Sequence, residues 1–215
     1  MEINYNELKK VNANVSKYSD ASLLLVTKNR PQALIRALIE QGYTLFGENR
    51  VQEANEKFSN LKDSKFTLHL IGPLQTNKVK LALSIFDTIQ SIDRPKLVKE
   101  ISKQINTGHK FKTKNYYIQV NIGEEPQKAG ISINELIDLY KYATSEKLKI
   151  SGLMCIPPLD DKPNNYFKKM IELRDNINPE LLISMGMSND YEIALTYQSN
   201  LVRVGSRIFK WKNFL

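Results

Sequence analysis

At 215 residues, 41% apolar and 25% charged, the chain has the size and composition of one soluble globular domain with a substantial core. Its 31 basic against 23 acidic residues give a net charge of +8, but the excess is mostly lysine interleaved with Glu and Asp, a solvated surface rather than a nucleic-acid stripe. The longest apolar run, around Leu23 to Val26, is far too short for a membrane span. Met-Glu-Ile-Asn does not open a signal peptide, and the single cysteine, Cys155, has no internal disulfide partner. The expectation is a cytoplasmic monomer without nucleic-acid or membrane partners, folded as one domain over residues 1–215.

Residues 2–19 carry Ile3, Leu8, Val11 and Val15 at helical spacing and read as an extra N-terminal helix. From there a strand–turn–helix unit recurs. Leu23 to Lys28 is followed by a helix over Pro31 to Gln41, then Thr44 to Gly47 by Val51 to Leu61. Thr67 to Gly72 leads to Asn77 to Ser84, and Thr88 to Ile92 to Pro95 to Ile105. Tyr116 to Asn121 precedes Ile133 to Glu146, and Ile150 to Cys155 precedes Asn164 to Asn176. Leu181 to Met185 and Asp190 to Thr196 lead to a last strand, Leu201 to Gly205. Pro31 and Pro95 sit where a first-turn proline is tolerated, and Gly42 where a helix stops. Strands alternating with helices mean a closed parallel barrel or a doubly wound sheet, and the count of eight favours the closed (β/α)₈ barrel.

Nearly every strand ends in an unusual residue: Thr27-Lys28, Gly47-Glu48-Asn49, Ile71-Gly72-Pro73, Asn121-Ile122-Gly123, Ser184 through Ser188, Gly205-Ser206. In a parallel barrel these ends converge on one rim, where such folds build their sites. Lys28 would be an ordinary solvated cap on most strands. In a barrel mouth, desolvation and a neighbouring cation would lower its pKa and free the amine to attack an aldehyde. The loops after the last two strands, with Gly186, Ser188, Gly205 and Ser206, are where barrels commonly bind phosphate. Ser188 also reads as a helix N-cap. Arg203 shares a strand face with Gly205 and points into the barrel if that face is inward. Asn49 could reach a ligand hydroxyl or the lysine, or simply make a turn. His69 reads as a hydrogen-bonded core histidine.

Seven segments in order resemble the pyridoxal phosphate homeostasis proteins. They are Leu-Leu-Val-Thr-Lys-Asn-Arg-Pro at 24–31, Phe-Gly-Glu-Asn-Arg-Val-Gln-Glu at 46–53, His-Leu-Ile-Gly-Pro-Leu-Gln-Thr-Asn-Lys at 69–78 and Gln-Val-Asn-Ile-Gly-Glu-Glu-Pro-Gln-Lys-Ala-Gly-Ile at 119–131. Gly-Leu-Met-Cys-Ile-Pro-Pro at 152–158, Ser-Met-Gly-Met-Ser-Asn-Asp-Tyr at 184–191 and Val-Arg-Val-Gly-Ser-Arg-Ile-Phe at 202–209 complete the set. The resemblance implies a TIM barrel like the N-terminal domain of alanine racemase, with pyridoxal 5′-phosphate held as a Schiff base on Lys28. It also implies Asn49 on the ring side, Arg203 at the pyridine nitrogen, and Ser188, Gly205 and Ser206 on the phosphate. Lys210 and Gln198 depart from the family's usual glycines.

A cation at the pyridine nitrogen makes the ring a poor electron sink, and the sequence stops at Leu215, before any second domain of the racemase kind. The reading is therefore a carrier, not an enzyme: sequestration and delivery of the cofactor to apo-enzymes, in intracellular vitamin B6 and amino-acid homeostasis. The alternatives are a barrel-only racemase or lyase using the same cofactor, and an aldolase-like barrel enzyme with Lys28 as Schiff-base former.

Overall fold

The computed structural model describes residues 1–61, 65–160 and 162–210. A two-residue strand, β1 (Glu2–Ile3), is followed by α1 (Tyr5–Val15). The alternating units then run β2 (Ser22–Val26), α2 (Gln32–Glu40), β3 (Leu45–Glu48), α3 (Val51–Phe58), β4 (Thr67–Leu70), α4 (Val79–Ile85), β5 (Thr88–Ile92) and α5 (Pro95–Ile105). They continue through β6 (Asn115–Val120), α6 (Leu136–Ser145), β7 (Ile150–Cys155), α7 (Pro163–Ile177), β8 (Leu182–Met187), α8 (Tyr191–Thr196) and β9 (Leu201–Val204), before a short β10 (Phe209–Lys210). Strands β2 to β9 form a closed barrel with every neighbouring pair parallel. The expected (β/α)₈ architecture and extra N-terminal helix are both present, and most boundaries fall within two residues of those read from the sequence.

The two faces of the barrel strands differ in polarity. Leu68, Leu70, Tyr116, Ile118, Val120, Leu153, Cys155, Ile183, Met185, Val202 and Val204 belong to the large core cluster shared with the helices, so they face outward. Their strand neighbours therefore face the barrel axis. Only Leu24, Ile71 and Leu201, with Val26 and Leu45, make an apolar cluster there. The inner face also carries Tyr117 and Met154 and the polar His69, Gln90, Gln119, Ser184 and Arg203, all buried. Such an interior differs from the branched apolar layers common in these barrels, and each of its polar groups needs a partner.

Two features were not visible in the sequence. β1 and β10 pair antiparallel, Glu2 with Lys210 and Ile3 with Phe209, tying both described ends to one side of the barrel. The Asn4 side chain then caps α1, accepting from the Glu7 amide at 3.3 Å, and Leu8, Val11 and Val15 bury its inner face.

His69 is held inside the barrel by a 2.7 Å hydrogen bond between its Nδ1 and the Gln90 side-chain amide. Burial pushes its pKa down to about 4, against a small opposing pull from Asp87. The native state keeps this ring neutral while the unfolded chain protonates it below about 6.5. Between these values the unfolded state binds more protons, so stability falls with falling pH, by at most about 1.4 kcal/mol per pH unit from this group. Urea unfolding of the wild type and His69→Gln across that window should show the variant losing this part of the slope. Parallel slopes would refute the assignment.

Candidate functional site

The C-terminal ends of the barrel strands surround a cavity of about 290 Å³, near the lower limit of roughly 300 Å³ for small-molecule sites. Lys28, Asn49, Ser188, Arg203, Gly205 and Ser206 all line it. The structure thus brings together every site residue expected from the sequence. It adds Arg30, Ile156, Leu159, Met187, Asn189 and Asp190, which sequence reasoning did not assign. Arg30 follows Lys28 by two residues, and its guanidinium is oriented by packing over the Phe209 ring, 5.2 Å to the centroid, and by Nη1 donating to the Met1 sulfur at 3.1 Å. Larger clefts, of about 650 Å³ on the flank between α3 and α4 and about 600 Å³ at the opposite barrel end, include none of these rim residues.

Lys28 lies two residues beyond β2, between a fully buried Thr27 and Asn29 in the left-handed region at φ 56°. The Thr27 amide donates to the Gly47 carbonyl at 3.0 Å and its hydroxyl to Glu48 Oε1 at 2.6 Å. The backbone here is thus anchored. The Lys28 side chain is nevertheless exposed on the wall of the mouth, which corrects the expectation of an amine shielded by the protein alone. The residue has left the strand and stands on the outer turn, beyond the depth at which neighbouring strands could cover it.

Arg203 lies at the other extreme. It is 3% exposed, and Nη1 donates to the Ser184 carbonyl and hydroxyl, each at 2.7 Å, while Nη2 donates to the Cys155 carbonyl at 2.6 Å. Among the described residues no carboxylate forms a salt bridge with it. Burial lowers its pKa, but a guanidinium stays protonated at neutral pH. The mouth therefore has a cation in its floor held by three hydrogen bonds to neutral oxygens. Cys155 itself is fully buried, and burial pushes its thiol up to about 12, which leaves it unreactive.

The last two loops meet at one point, where the Gly205 amide donates to Ser188 Oγ at 3.4 Å. A side chain at Gly205 would put its Cβ 2.8 Å from the Val26 carbonyl oxygen and 3.0 Å from Val26 Cβ. Ser188 is not the cap of the next helix. That position belongs to Asp190, whose Oδ1 accepts from the Met187 amide at 2.6 Å. The chain makes a tight turn before α8, so the cap falls two residues later than the serine pattern suggested. Among the described residues, the amides of Asn189, Ser206 and Arg207 donate to no protein acceptor. An amine, a buried guanidinium and two glycine-bearing loops with free amides are a donor set suited to a small phosphorylated carbonyl compound. No three His, Cys, Asp or Glu side chains among the described residues are grouped to hold a metal ion.

This arrangement is that of an alanine-racemase-type barrel, and residues 3–212 match the family model for the alanine racemase N-terminal domain. Pyridoxal phosphate homeostasis proteins match over most of their length. That of Aquifex aeolicus is 38% identical over 201 residues, 88% of this chain and 86% of the relative; that of Escherichia coli K12 is 32% identical over 210 residues, 91% and 87%. Among solved structures, PipY of Synechococcus elongatus with PLP bound superposes with a TM-score of 0.81 at 30% identity, covering 95% of this chain and 99% of that one. Alanine racemase of Clostridium difficile 630 superposes at 0.74 with 14% identity, covering 98% of this chain and 58% of the racemase, a likeness of fold. The chain belongs to the alanine racemase N-terminal domain family and, within it, to the pyridoxal phosphate homeostasis proteins.

Gly186 leads into the Ser188 loop with φ 89°, and an added Cβ would lie 2.4 Å from Ala194 Cβ and 3.1 Å from Tyr191 Cα. Gly186→Ala combines an unfavourable backbone region with overpacking against α8. It should lower unfolding free energy by about 2–4 kcal/mol, read as a shift of the urea midpoint. A change below about 0.5 kcal/mol, the scatter of ordinary surface substitutions, would show that α8 can move aside.

Proposed function

We propose that the protein binds pyridoxal 5′-phosphate in the barrel mouth, with Lys28 as the covalent anchor, and sequesters and delivers it in cytoplasmic vitamin B6 and amino-acid homeostasis. The observation that carries this reading is the convergence of Lys28, Arg203 and the two glycine loops on one cavity, in a chain of a family whose members are named for pyridoxal phosphate homeostasis. Ser188, Gly205 and Ser206 would hold the phosphate, Asn49 the ring's hydroxyl side, and Arg203 the pyridine nitrogen. When bound, the cofactor supplies an aldehyde and an electron-withdrawing ring. The protein's own residues do the rest. Arg203 presents a cation against which a ring nitrogen gains no proton. The loops fix the anion, and Lys28 offers its amine from an exposed turn.

The same residues favour a carrier over an efficient enzyme. A ring left unprotonated by Arg203 draws electrons weakly, so carbanion chemistry would need strong acid–base groups. Among the described residues no tyrosine lines the mouth. Tyr117 lines the cleft at the opposite barrel end, and burial pushes its hydroxyl up to about 12. A barrel-only racemase or lyase is the second reading, favoured by the racemase fold alone. Cytoplasmic residence rests on the composition and single cysteine; among the described residues no helix is long and apolar enough to cross a membrane. Monomer state, the one-domain organisation and delivery to apo-enzymes are parts of the same proposal.

Borohydride reduction of protein loaded with pyridoxal phosphate, followed by peptide mapping, should place the label on Lys28. Lys28→Ala should fold normally and lose the absorbance band of lysine-bound cofactor. Label at another lysine overturns the assignment. Replacing Arg203 with Glu would set a carboxylate against the Ser184 and Cys155 carbonyls. Arg203→Gln is the informative change, because it keeps a donor while removing the cation. The bound cofactor's absorbance should then shift as the ring nitrogen becomes more basic, and an unchanged spectrum would take Arg203 away from the ring.

A further inference from the structure

Behind the exposed Lys28 lies a buried group of charges that the proposed binding scheme does not use. Lys57, on α3, reaches toward the end of β2, where its ammonium donates to the Thr27 carbonyl at 2.7 Å and to Glu48 Oε1 at 2.9 Å. It also pairs with Glu53 Oε1 at 2.5 Å, one helical turn away. An ammonium has three donors, and all three are accounted for. The same Glu53 oxygen accepts the Asn29 amide at 2.5 Å. A closed path therefore runs from the Thr27 carbonyl through Lys57 and Glu53 to the Asn29 amide. It grips the chain on both sides of Lys28. The side chains of Glu48, Lys57 and Glu53 are 0%, 12% and 19% exposed, so water competes little for the bonds of Lys57 to Thr27 and Glu48, whereas the Asn29–Glu53 bond lies at the solvent-exposed edge of the group.

We infer that Lys57 and Glu53 are positioning residues for Lys28, clamping its two flanking peptide groups to α3 so that an otherwise exposed amine meets its aldehyde from a fixed backbone. The inference rests on Lys28 being the anchoring amine. A support role for α3 alone does not explain the pattern. A helix-stabilising Glu–Lys pair would point along the helix surface, whereas both side chains here leave the helix for the turn that carries Lys28. Asn29 is a residue that tolerates the left-handed φ of 56° it adopts here, and its amide bond to Glu53 ties that turn to α3. A long flexible side chain can be oriented only as well as its Cα is fixed, and misplacement of about 1 Å can reduce the rate of a positioned reaction about a hundredfold.

Glu53→Ala removes the acceptor for Asn29 without leaving a charge alone in full burial, and Glu53→Gln keeps an oxygen in the same place. In Glu53→Ala the Asn29 amide should exchange with deuterium faster, measured by NMR on the protein without cofactor. Attachment of pyridoxal phosphate to Lys28, followed by stopped-flow absorbance, should slow about tenfold. Affinity for pyridoxine 5′-phosphate, which has ring and phosphate but no aldehyde, should stay within about twofold, because the phosphate loops lie on other strands. Glu53→Gln should behave like the wild type. The double variant Lys57→Met, Glu48→Gln, which leaves no lone buried carboxylate beside the Thr27 carbonyl, should slow attachment in the same direction. Unchanged attachment in Glu53→Ala, or equal slowing in Glu53→Gln, overturns the inference, as does a parallel loss of pyridoxine 5′-phosphate affinity. Label found away from Lys28 in the wild type instead defeats the underlying reading, and Asn29 exchange still reports whether the clamp exists.

Discussion

The whole site depends on closure of the barrel by its first and last strands. β2 and β9 are separated by the length of the chain, yet they pair in parallel from Ser22 with Leu201 to Leu25 with Val204. That register sets Gly205, just past β9, beside Val26, so that Lys28 and the Gly205–Ser206 loop leave the barrel at the same rim. It also turns Arg203, the partner of Leu24, toward the axis. Closure demands a residue without a side chain where the strands leave each other, and Gly205 meets that demand, since a Cβ would press on Val26. A pairing slipped by one residue would send Arg203 into the apolar layer under the helices, where no carbonyl cage awaits it. A contact of large sequence separation, whose closure costs loop entropy, thus brings amine, cation and glycine loops to one rim.

What the sequence made legible follows from where its signals are strong. Short β-branched runs alternating with helical periods gave the barrel, and the odd residues at strand ends gave the rim. The rest depended on contacts that no local pattern encodes. Two-residue strands such as β1 and β10 carry no periodicity, and they form because residues 2–3 and 209–210 lie side by side. Ser188 has the chemistry of a cap, but the turn after β8 is tight enough that Asp190 takes that position. The exposure of Lys28 could not be read from Leu-Leu-Leu-Val-Thr-Lys, because the run does not say where the strand stops. The Glu48–Lys57–Glu53 cluster was hidden for a related reason. Glu53 and Lys57 look like an ordinary surface i,i+4 pair, and only the buried Thr27 and Glu48 beneath them show that α3 faces the strand end with its charged side.

Polarity inside the barrel links fold to chemistry. An apolar interior would have been simpler to stabilise, since buried cations lose hydration that neutral acceptors restore only in part. Arg203 is tolerated because Ser184 on β8 and the Cys155 carbonyl on β7, the next two strands on one side of β9, are fixed by the sheet and accept its hydrogen bonds. A carboxylate partner would have neutralised it and left the mouth without a net positive floor. Ser184 and Cys155 instead accept three hydrogen bonds from it while leaving its charge available to an anionic or electron-rich ligand above it.

On the proposed reading, the contrast between these two basic residues accounts for a carrier's behaviour. A lysine enclosed by protein would bond its aldehyde in a dry pocket, and release would wait for the pocket to open. Lys28 instead combines an exposed side chain with a clamped backbone. The clamp favours bond formation by fixing where the amine starts, and the exposure leaves the resulting bond open to water and to acceptor amines. Specificity then comes from the floor and the loops, which bind whether or not the amine has reacted, while reversibility comes from the turn. Burying Lys28 would gain affinity at the expense of exchange, and exchange is what delivery to other proteins requires.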